Sequence, residues 1–368
     1  VTAEPMSDML PLEMYGWDAR TEALFEPHRV AGLQPGRVLV EHRGSYVLRV
    51  AEGEIEAAVS GRFRHEADAA EEFPAVGDWV GISPATDSGQ SAIIHTVLPR
   101  RSRFARLARG DMPGAQIVAA NIDLVLVVGG LDHDFNLHRL ERYVTLAWAS
   151  GAEPVIVLNK ADLCDDVPGR VADVMAIAPG VPVRVLTARE GRGLESLAPL
   201  LEAGRTVALL GSSGVGKSTI VNALLGWERQ AVGEVRADDQ RGRHTTTIRE
   251  LVVTPSGALL IDSPGMRSVG MWDAEEGLAG AFADIQAFAS QCRFSNCSHG
   301  AEPGCAVQAA IADGSLPVAR LHSQQKLARE SEALERRRDA AARAAGRRRN
   351  RILSKSVRNH MRLKYGAD

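Results

Sequence analysis

Between residues 37 and about 98 apolar and polar positions alternate in short runs: RVLVEH, SYVLRV, EIEAAVSG, DWVGIS and SAIIHTVL. RG, EG, PAVGD and TDSGQ separate them. Alternating β-branched runs punctuated by Gly, Pro and Asp are strand signals. Five such runs predict a small β-barrel, with an OB-fold first and a β-sandwich as the alternative that shares the pattern. From 117 to 265 the pattern changes to near-continuous apolar runs: IVAANIDLVLVVGG, PVIVLNK, VPVRVLTA, RTVALLG, TIRELVV and ALLIDSPG. Helices are expected between them, over NLHRLERYVTLAWASG, near 168–178, near 194–202 and from 217. Buried strands alternating with helices predict an α/β domain with a parallel sheet covered on both faces. Ligands bind such sheets at the carboxyl ends of the strands, so the chemistry belongs in the turns after Leu158, Leu186, Leu210 and Ile261.

From 266 onward the chain reads as helical, with a Cys-rich knuckle at 292–305 and a long final helix from about 317. Residues 1–36 form an acidic lead-in with one short helix. PRRSRFARLARGDMPGAQ, 99–116, reads as a basic linker suited to a phosphate backbone or to solvent. The expected divisions are a lead-in at 1–36, a barrel with basic linker at 37–110, the α/β domain at 111–270 and a helical unit at 271–368.

The 368 residues contain no run of about 18 apolar residues, so no transmembrane helix is expected. VTAEPMSDMLPLEMYG lacks the basic and apolar regions of a signal peptide. Four Cys, three of them between 292 and 305, fit a reducing cytoplasm better than a disulfide scaffold. The net charge of −3 hides a gradient: residues 321–368 carry +9 and the rest −12. An acidic body with a basic end suggests that one end meets a polyanion; a solvated Arg-rich helix has the same composition.

The strongest motif is GSSGVGKST: Gly211, Ser212, Ser213, Gly214, Val215, Gly216, Lys217, Ser218 and Thr219. It follows an apolar strand and opens a helix, the context a phosphate loop requires. The glycines let backbone N–H groups turn in around a polyphosphate. Lys217 neutralises the β- and γ-phosphates, and Ser218 offers a hydroxyl to Mg²⁺. At another strand end stand Asn159, Lys160, Ala161 and Asp162. A carboxylate such as Asp162 accepts both N–H donors on the edge of guanine, whereas adenine leaves it unpaired. The same residues also suit a turn in which Asp162 caps a helix. Thr187 and Ala188, at the next strand end, can close over the base. Asp262 ends ALLI and can hold Mg²⁺ through water, with the Gly265 N–H meeting the γ-phosphate. In GRHTTT, one of Thr245 to Thr247, best Thr246, can ligate Mg²⁺ only while the γ-phosphate is present; a polar loop leading into a strand is the alternative.

These are five GTPase motifs in rotated order, the base-reading pair before the phosphate loop and both switches last. Rotation leaves a site intact because domain termini lie close together. After them, Cys292, Cys297, His299 and Cys305 offer three thiolates and one imidazole, a closed structural set for tetrahedral Zn²⁺. Cys164 stands alone and reads as a packed thiol. A small barrel, NKAD before GSSGVGKST, RHTTT, DSPG and a Cys/His knuckle resemble the circularly permuted ribosome-biogenesis GTPases over about residues 37–320. The resemblance implies a cytoplasmic, monomeric GTP hydrolase without membrane contact, cycling between GTP and GDP with Mg²⁺. It implies one structural zinc, contact with rRNA, and stimulation by the small ribosomal subunit during late assembly. A GTP-gated RNA-binding protein acting on tRNA or another nucleic acid, with incidental hydrolysis, is the rival reading. Met266 stands where many GTPases carry a water-orienting Gln; His244 is the candidate to replace it, and an exposed loop histidine is the alternative. Ser263 and Thr187 depart from the usual Thr and Ser but keep a hydroxyl. Residues 37–101 carry net −3, so any barrel contact with RNA needs a local face.

Overall fold

The alternating runs pair as β1 (Gln34–Glu41), β2 (Tyr46–Val50), β3 (Gly53–Val59), β4 (Trp79–Ser83) and β5 (Ala92–Val97). Their order is β1-β2-β3-β5-β4, and β4 returns to β1 with Gln34 opposite Ile82 and Arg37 opposite Trp79. The sheet therefore closes into a five-stranded barrel, the OB-type solution, and a sandwich is excluded. Val38, Leu48, Ala57, Val80, Ile82 and Ile94 fill it. The computed structural model describes residues 11–42, 44–67, 69–83, 91–107, 115–226, 249–262, 274–300, 302–333 and 335–336.

Residues 1–10 of the lead-in lie outside the described residues, and its expected helix is present in the remainder. Asp18 accepts from the Thr21 N–H at 2.8 Å and caps α1 (Ala19–Val30). Trp17 meets Trp79 edge-on at 4.8 Å, which seats this helix against the barrel. Where a linker is expected, the described residues form two antiparallel strands, β6 (Arg103–Leu107) against β7 (Ala115–Ala120), and residues 108–114 of it lie outside the described residues. Arg100 is spent on buried Asp78 at 2.7 Å, and Arg101 on Asp18 at 2.8 Å. The run IVAANIDLVLVVGG, expected as one strand, is two. It breaks at Asn121, whose φ of 53° is left-handed. Asn121 holds that turn by donating to the Gly77 carbonyl at 3.0 Å and accepting from the Arg101 N–H at 2.9 Å.

The α/β domain continues with β8 (Leu124–Gly130), α3 (Leu137–Ala149), β9 (Glu153–Asn159), α4 (Val167–Ile177) and β10 (Val183–Val185). Then come β11 (Thr206–Gly211), α5 (Lys217–Leu225), β12 (Arg249–Val253) and β13 (Leu259–Asp262). A 3-10 segment at Leu194–Leu200 replaces the helix expected near 194–202. Pro199 inside it lacks the N–H that an α-helix needs. Strands β10-β9-β8-β11-β13 are parallel in that order and β12 runs antiparallel to β13. Alternate side chains bury on opposite faces: Val125, Val127, Ile156, Leu158 and Ala208 on one, Leu124, Leu126, Val155, Val157 and Val207 on the other. This two-sided burial explains the unbroken apolar runs.

The barrel and the α/β sheet are one sheet. The outer edge of β12 pairs antiparallel with β1, Val40 opposite Glu250 and Glu41 opposite Arg249, giving eleven continuous strands. Arg249 adds an ion pair to Glu41 at 2.7 Å. Behind this seam Arg37 is fully buried, donating to the Tyr15 carbonyl at 2.8 Å and to the Thr206 hydroxyl at 3.1 Å. Burial pulls its guanidinium pKa down to about 10.

The helical unit contributes α6 (Ala274–Ala281), α7 (Ala283–Ala289), α8 (Ala306–Ala312) and a helix over 318–333, here α9. Helix α6 lies so close to α3 that a Cβ on Gly277 would sit 2.3 Å from that of Ala149. Arg320 of α9, 2% exposed, pairs with Glu141 of α3 and Asp284 of α7, each at 2.8 Å, and lies over the Phe282 ring. Farther along α9, Glu330 pairs with Arg142 of α3 at 2.7 Å.

Candidate nucleotide and metal sites

The parallel strands β8, β9, β11 and β13 end on one edge at Gly130, Asn159, Gly211 and Asp262. After β11 the chain turns at Gly211, Gly214 and Gly216, with φ values of 157°, 81° and 94°, and enters α5 at Lys217. Gly216 is also held by space: a Cβ there would lie 2.2 Å from the Asn159 amide nitrogen. Ser213 and Gly214 are exposed, Val215 is buried, and Ser212, Lys217, Ser218 and Thr219 are half-buried. Lys217 Nζ donates to the Gly211 carbonyl at 2.8 Å and the Ser212 carbonyl at 2.5 Å. The first N–H groups of a helix have no intrahelical acceptor, so the start of α5 offers donors to an anion.

Asn159, buried at the end of β9, joins three loops. Its amide donates to the Val215 carbonyl at 2.9 Å, and its carbonyl accepts from the Ala188 N–H at 3.0 Å. The Ala161 N–H donates to the Leu186 carbonyl at 3.1 Å. The segments 159–162, 186–188 and 211–219 are thus brought together by backbone-directed bonds. Thr187 and Ala188 are buried. Asp162 is exposed on the 3-10 turn Ala161–Leu163. It caps no helix: the cap of α4 is Asp166, which accepts from the Gly169 N–H at 2.9 Å. Asp262 closes β13 opposite Glu250. His244, Thr246 and Gly265 lie outside the described residues, as do Ser263 and Met266.

In the helical unit the donor atoms of Cys292, Cys297, His299 and Cys305 lie within 4.8 Å of one another. Cys292 Sγ is 3.9 Å from Cys305 Sγ, and His299 Nδ1 is 3.7 Å and 3.6 Å from these two sulfurs. Tetrahedral bonds of about 2.3 Å to sulfur and about 2.0 Å to nitrogen need edges of roughly 3.5–3.8 Å; Cys292, Cys305 and His299 stand at such edges, and Cys297, within 4.8 Å of them, completes a donor set compatible with zinc. The loop is shaped for this. His299 takes a left-handed φ of 58°, and Cys305 caps α8. Gln308 donates to the His299 carbonyl at 2.6 Å. Glu302 closes the loop by accepting from the Ser298 and Gly300 N–H groups at 3.0 and 2.7 Å. The Ser298 hydroxyl and these N–H groups hold its carboxyl down to about 2. Among the described residues no other such cluster occurs. Cys164 is half-buried and free.

A family model described as RsgA GTPase matches residues 97–272. The chain is 47% identical over 338 residues to the small ribosomal subunit biogenesis GTPase RsgA of Opitutus terrae, covering 90% of this chain and 92% of that protein. The chain belongs to the RsgA GTPase family. Its members are GTP hydrolases, and this chain is a GTPase. YjeQ from Thermotoga maritima has a similar fold, with a TM-score of 0.61 at 26% identity, covering 80% of this chain and 97% of that one. YloQ, a circularly permuted GTPase, shares the fold at a TM-score of 0.58 and 24% identity, covering 82% and 96%. The rotated motif order of this RsgA-family chain is thus a circular permutation.

One residue at this edge escaped the sequence reading. Asp132, in the turn after β8, accepts from Lys160 Nζ at 2.5 Å. Burial works to raise its pKa, but the Lys160 hydrogen bond and the Asp134 N–H outweigh it and hold the carboxyl below its usual range. The available signal was that Gly129–Gly130 ends a buried strand of the parallel sheet, so the turn LDHDFN also belongs to the ligand-bearing edge. In the described residues of this RsgA-family GTPase no helix is long and apolar enough to cross a membrane.

Proposed function

We propose that the chain is a cytoplasmic, monomeric GTPase that binds rRNA of the small ribosomal subunit late in assembly and leaves on GTP hydrolysis. One observation carries the reading: Asn159 ties a base-reading loop to a phosphate loop in a permuted fold whose relatives are named for small-subunit biogenesis. In this reading Asp162 accepts the two N–H donors of guanine, and Thr187 and Ala188 close over the base. Lys217 leaves the Gly211 and Ser212 carbonyls for the β- and γ-phosphates, and the N–H groups of 212–219 surround them. Ser218, Thr246 and Asp262 would hold Mg²⁺, which when bound neutralises charge on the β- and γ-oxygens. Water attacks the γ-phosphorus in line, its proton passes to His244 or to a phosphate oxygen, and GDP leaves. Cys292, Cys297, His299 and Cys305 would hold one structural zinc, which leaves no open position for chemistry.

Three measurements test this. GTP turnover is compared with purified small subunits, large subunits and tRNA. Stimulation confined to small subunits is expected, and equal stimulation by tRNA would replace the proposal with a different nucleic-acid partner. In the same assay Lys217→Ala is expected to lose about 10²–10³ in kcat, the scale of losing one transition-state donor; normal subunit release by that variant would make turnover incidental. His244→Ala is expected to lose stimulated turnover while keeping GTP affinity. Near-normal stimulated rates would assign the water to another group.

A further inference from the structure

We infer that Asp132 is a positioning residue for the base-reading loop, fixing Lys160 so that the loop meets a guanine nucleotide already ordered. The inference rests on the proposed reading of 159–162. Gly130 sits opposite Asn159 in the β8–β9 ladder, and the Leu131 N–H donates to the Asn159 carbonyl at 2.8 Å. These backbone bonds set the distance between the Asp132 turn and Lys160. The carboxylate is held at both oxygens. Oδ2 takes Lys160 Nζ at 2.5 Å, and Oδ1 takes the Asp134 N–H at 3.2 Å. A Cβ on Gly130 would come within 2.8 Å of Oδ1, so a larger residue there would displace the carboxylate.

Lys160 itself is unusual. Its φ of 62° is left-handed, a conformation a lysine keeps only where its surroundings impose it. It stands between Asn159, which binds the phosphate loop and the Ala188 N–H, and exposed Asp162. The pair is largely buried, Lys160 27% and Asp132 10% exposed, but it joins two turns that the β8–β9 backbone bonds already hold together, so stability alone does not account for this arrangement. Binding does. A lysine side chain has much rotamer freedom to lose, and a loop that has lost it beforehand loses less when ligand arrives.

The test is a double-mutant cycle on GDP affinity, read by titration of the full chain with a fluorescent guanine nucleotide. Lys160→Ala and Asp132→Ala are each expected to weaken binding about tenfold, with the double variant no weaker than Lys160→Ala alone. Asp132→Asn keeps the shape and the acceptor for the Asp134 N–H but loses the charge, so it is expected to weaken binding as Asp132→Ala does. It also guards against a folding artefact, with turnover at saturating GTP expected to stay near wild type. If Asp132 merely closes its own turn, Asp132→Asn binds GDP normally and the inference is overturned. Additive single effects overturn it too. An unchanged affinity in Lys160→Ala would instead remove the role given to Lys160 in the base-reading loop, and the inference with it.

Discussion

Treating the full chain with a metal chelator, or replacing Cys297 by serine, is expected to unfold residues 292–305 while GDP binding stays nearly intact. The apolar support for this loop is slight. Cys305, Val307 and Ala310 are buried on its α8 side and Ile285 on its α7 side, while most residues from 293 to 304 are exposed. Backbone ordering costs about 1–2 kcal/mol per residue, which such a core does not offset. A structural zinc in a comparable small loop contributes roughly 10–16 kcal/mol. Hydrogen exchange over 292–312, with metal content measured on the same sample, reads the result. One equivalent of zinc and loss of protection on its removal are expected. Unchanged protection in a metal-free sample would mean that the four residues are a packed thiol cluster. GDP binding is expected to be spared because the proposed nucleotide edge lies on β8, β9, β11 and α5, none of which contributes a donor to the cluster.

Arg320→Ala is expected to destabilise the chain by about 3–5 kcal/mol, the scale of an uncompensated buried ion. The substitution leaves the Glu141 carboxylate, 4% exposed, without its cation, and Asp284 beside it. It also removes donors from the Ile177 and Ala281 carbonyls. A lower urea midpoint for the α/β domain, accompanied by greater exchange in α6 and α7, is the expected record. The cause separates from lost packing in a second variant. Arg320→Met with Glu141→Leu and Asp284→Leu removes the whole charge cluster and is expected to recover most of the loss, since replacing a buried ion cluster with apolar groups is often near neutral. If the single and triple variants are equally weak, packing rather than charge holds the helical unit to α3.

What was legible along the chain was local. The five barrel strands follow from period-two alternation and their turns, and each lies within a few residues of its expected place. The phosphate loop and the knuckle are contiguous motifs whose residues meet by short-range chain geometry. What escaped was set by distant partners. The Arg320–Glu141 pair spans 179 positions, and the Arg37–Thr206 bond spans 169. Neither arginine differs in sequence from a surface one. Arg100 and Arg101 look like a cationic linker until Asp78 and Asp18 fold against them. Asn121 was hidden differently: one left-handed residue interrupts an apolar run without changing its composition. At the nucleotide edge, Asn159 was recognisable from its motif. Asp132 was not, because a carboxylate in a polar turn carries no mark of the lysine it meets 28 positions on.

The seam between β1 and β12 has a consequence for how this molecule can be divided. A barrel that shares backbone hydrogen bonds with the α/β sheet is not a detachable module, although it is closed and has its own core. Cutting the chain after residue 101 would strip β12 of its neighbour and Arg249 of Glu41. The α/β sheet would then end in a row of unsatisfied N–H and C=O groups, a template on which another chain can pair. The barrel therefore also serves this fold as an edge protector, and self-association of fragments would report its loss before any change in nucleotide chemistry did.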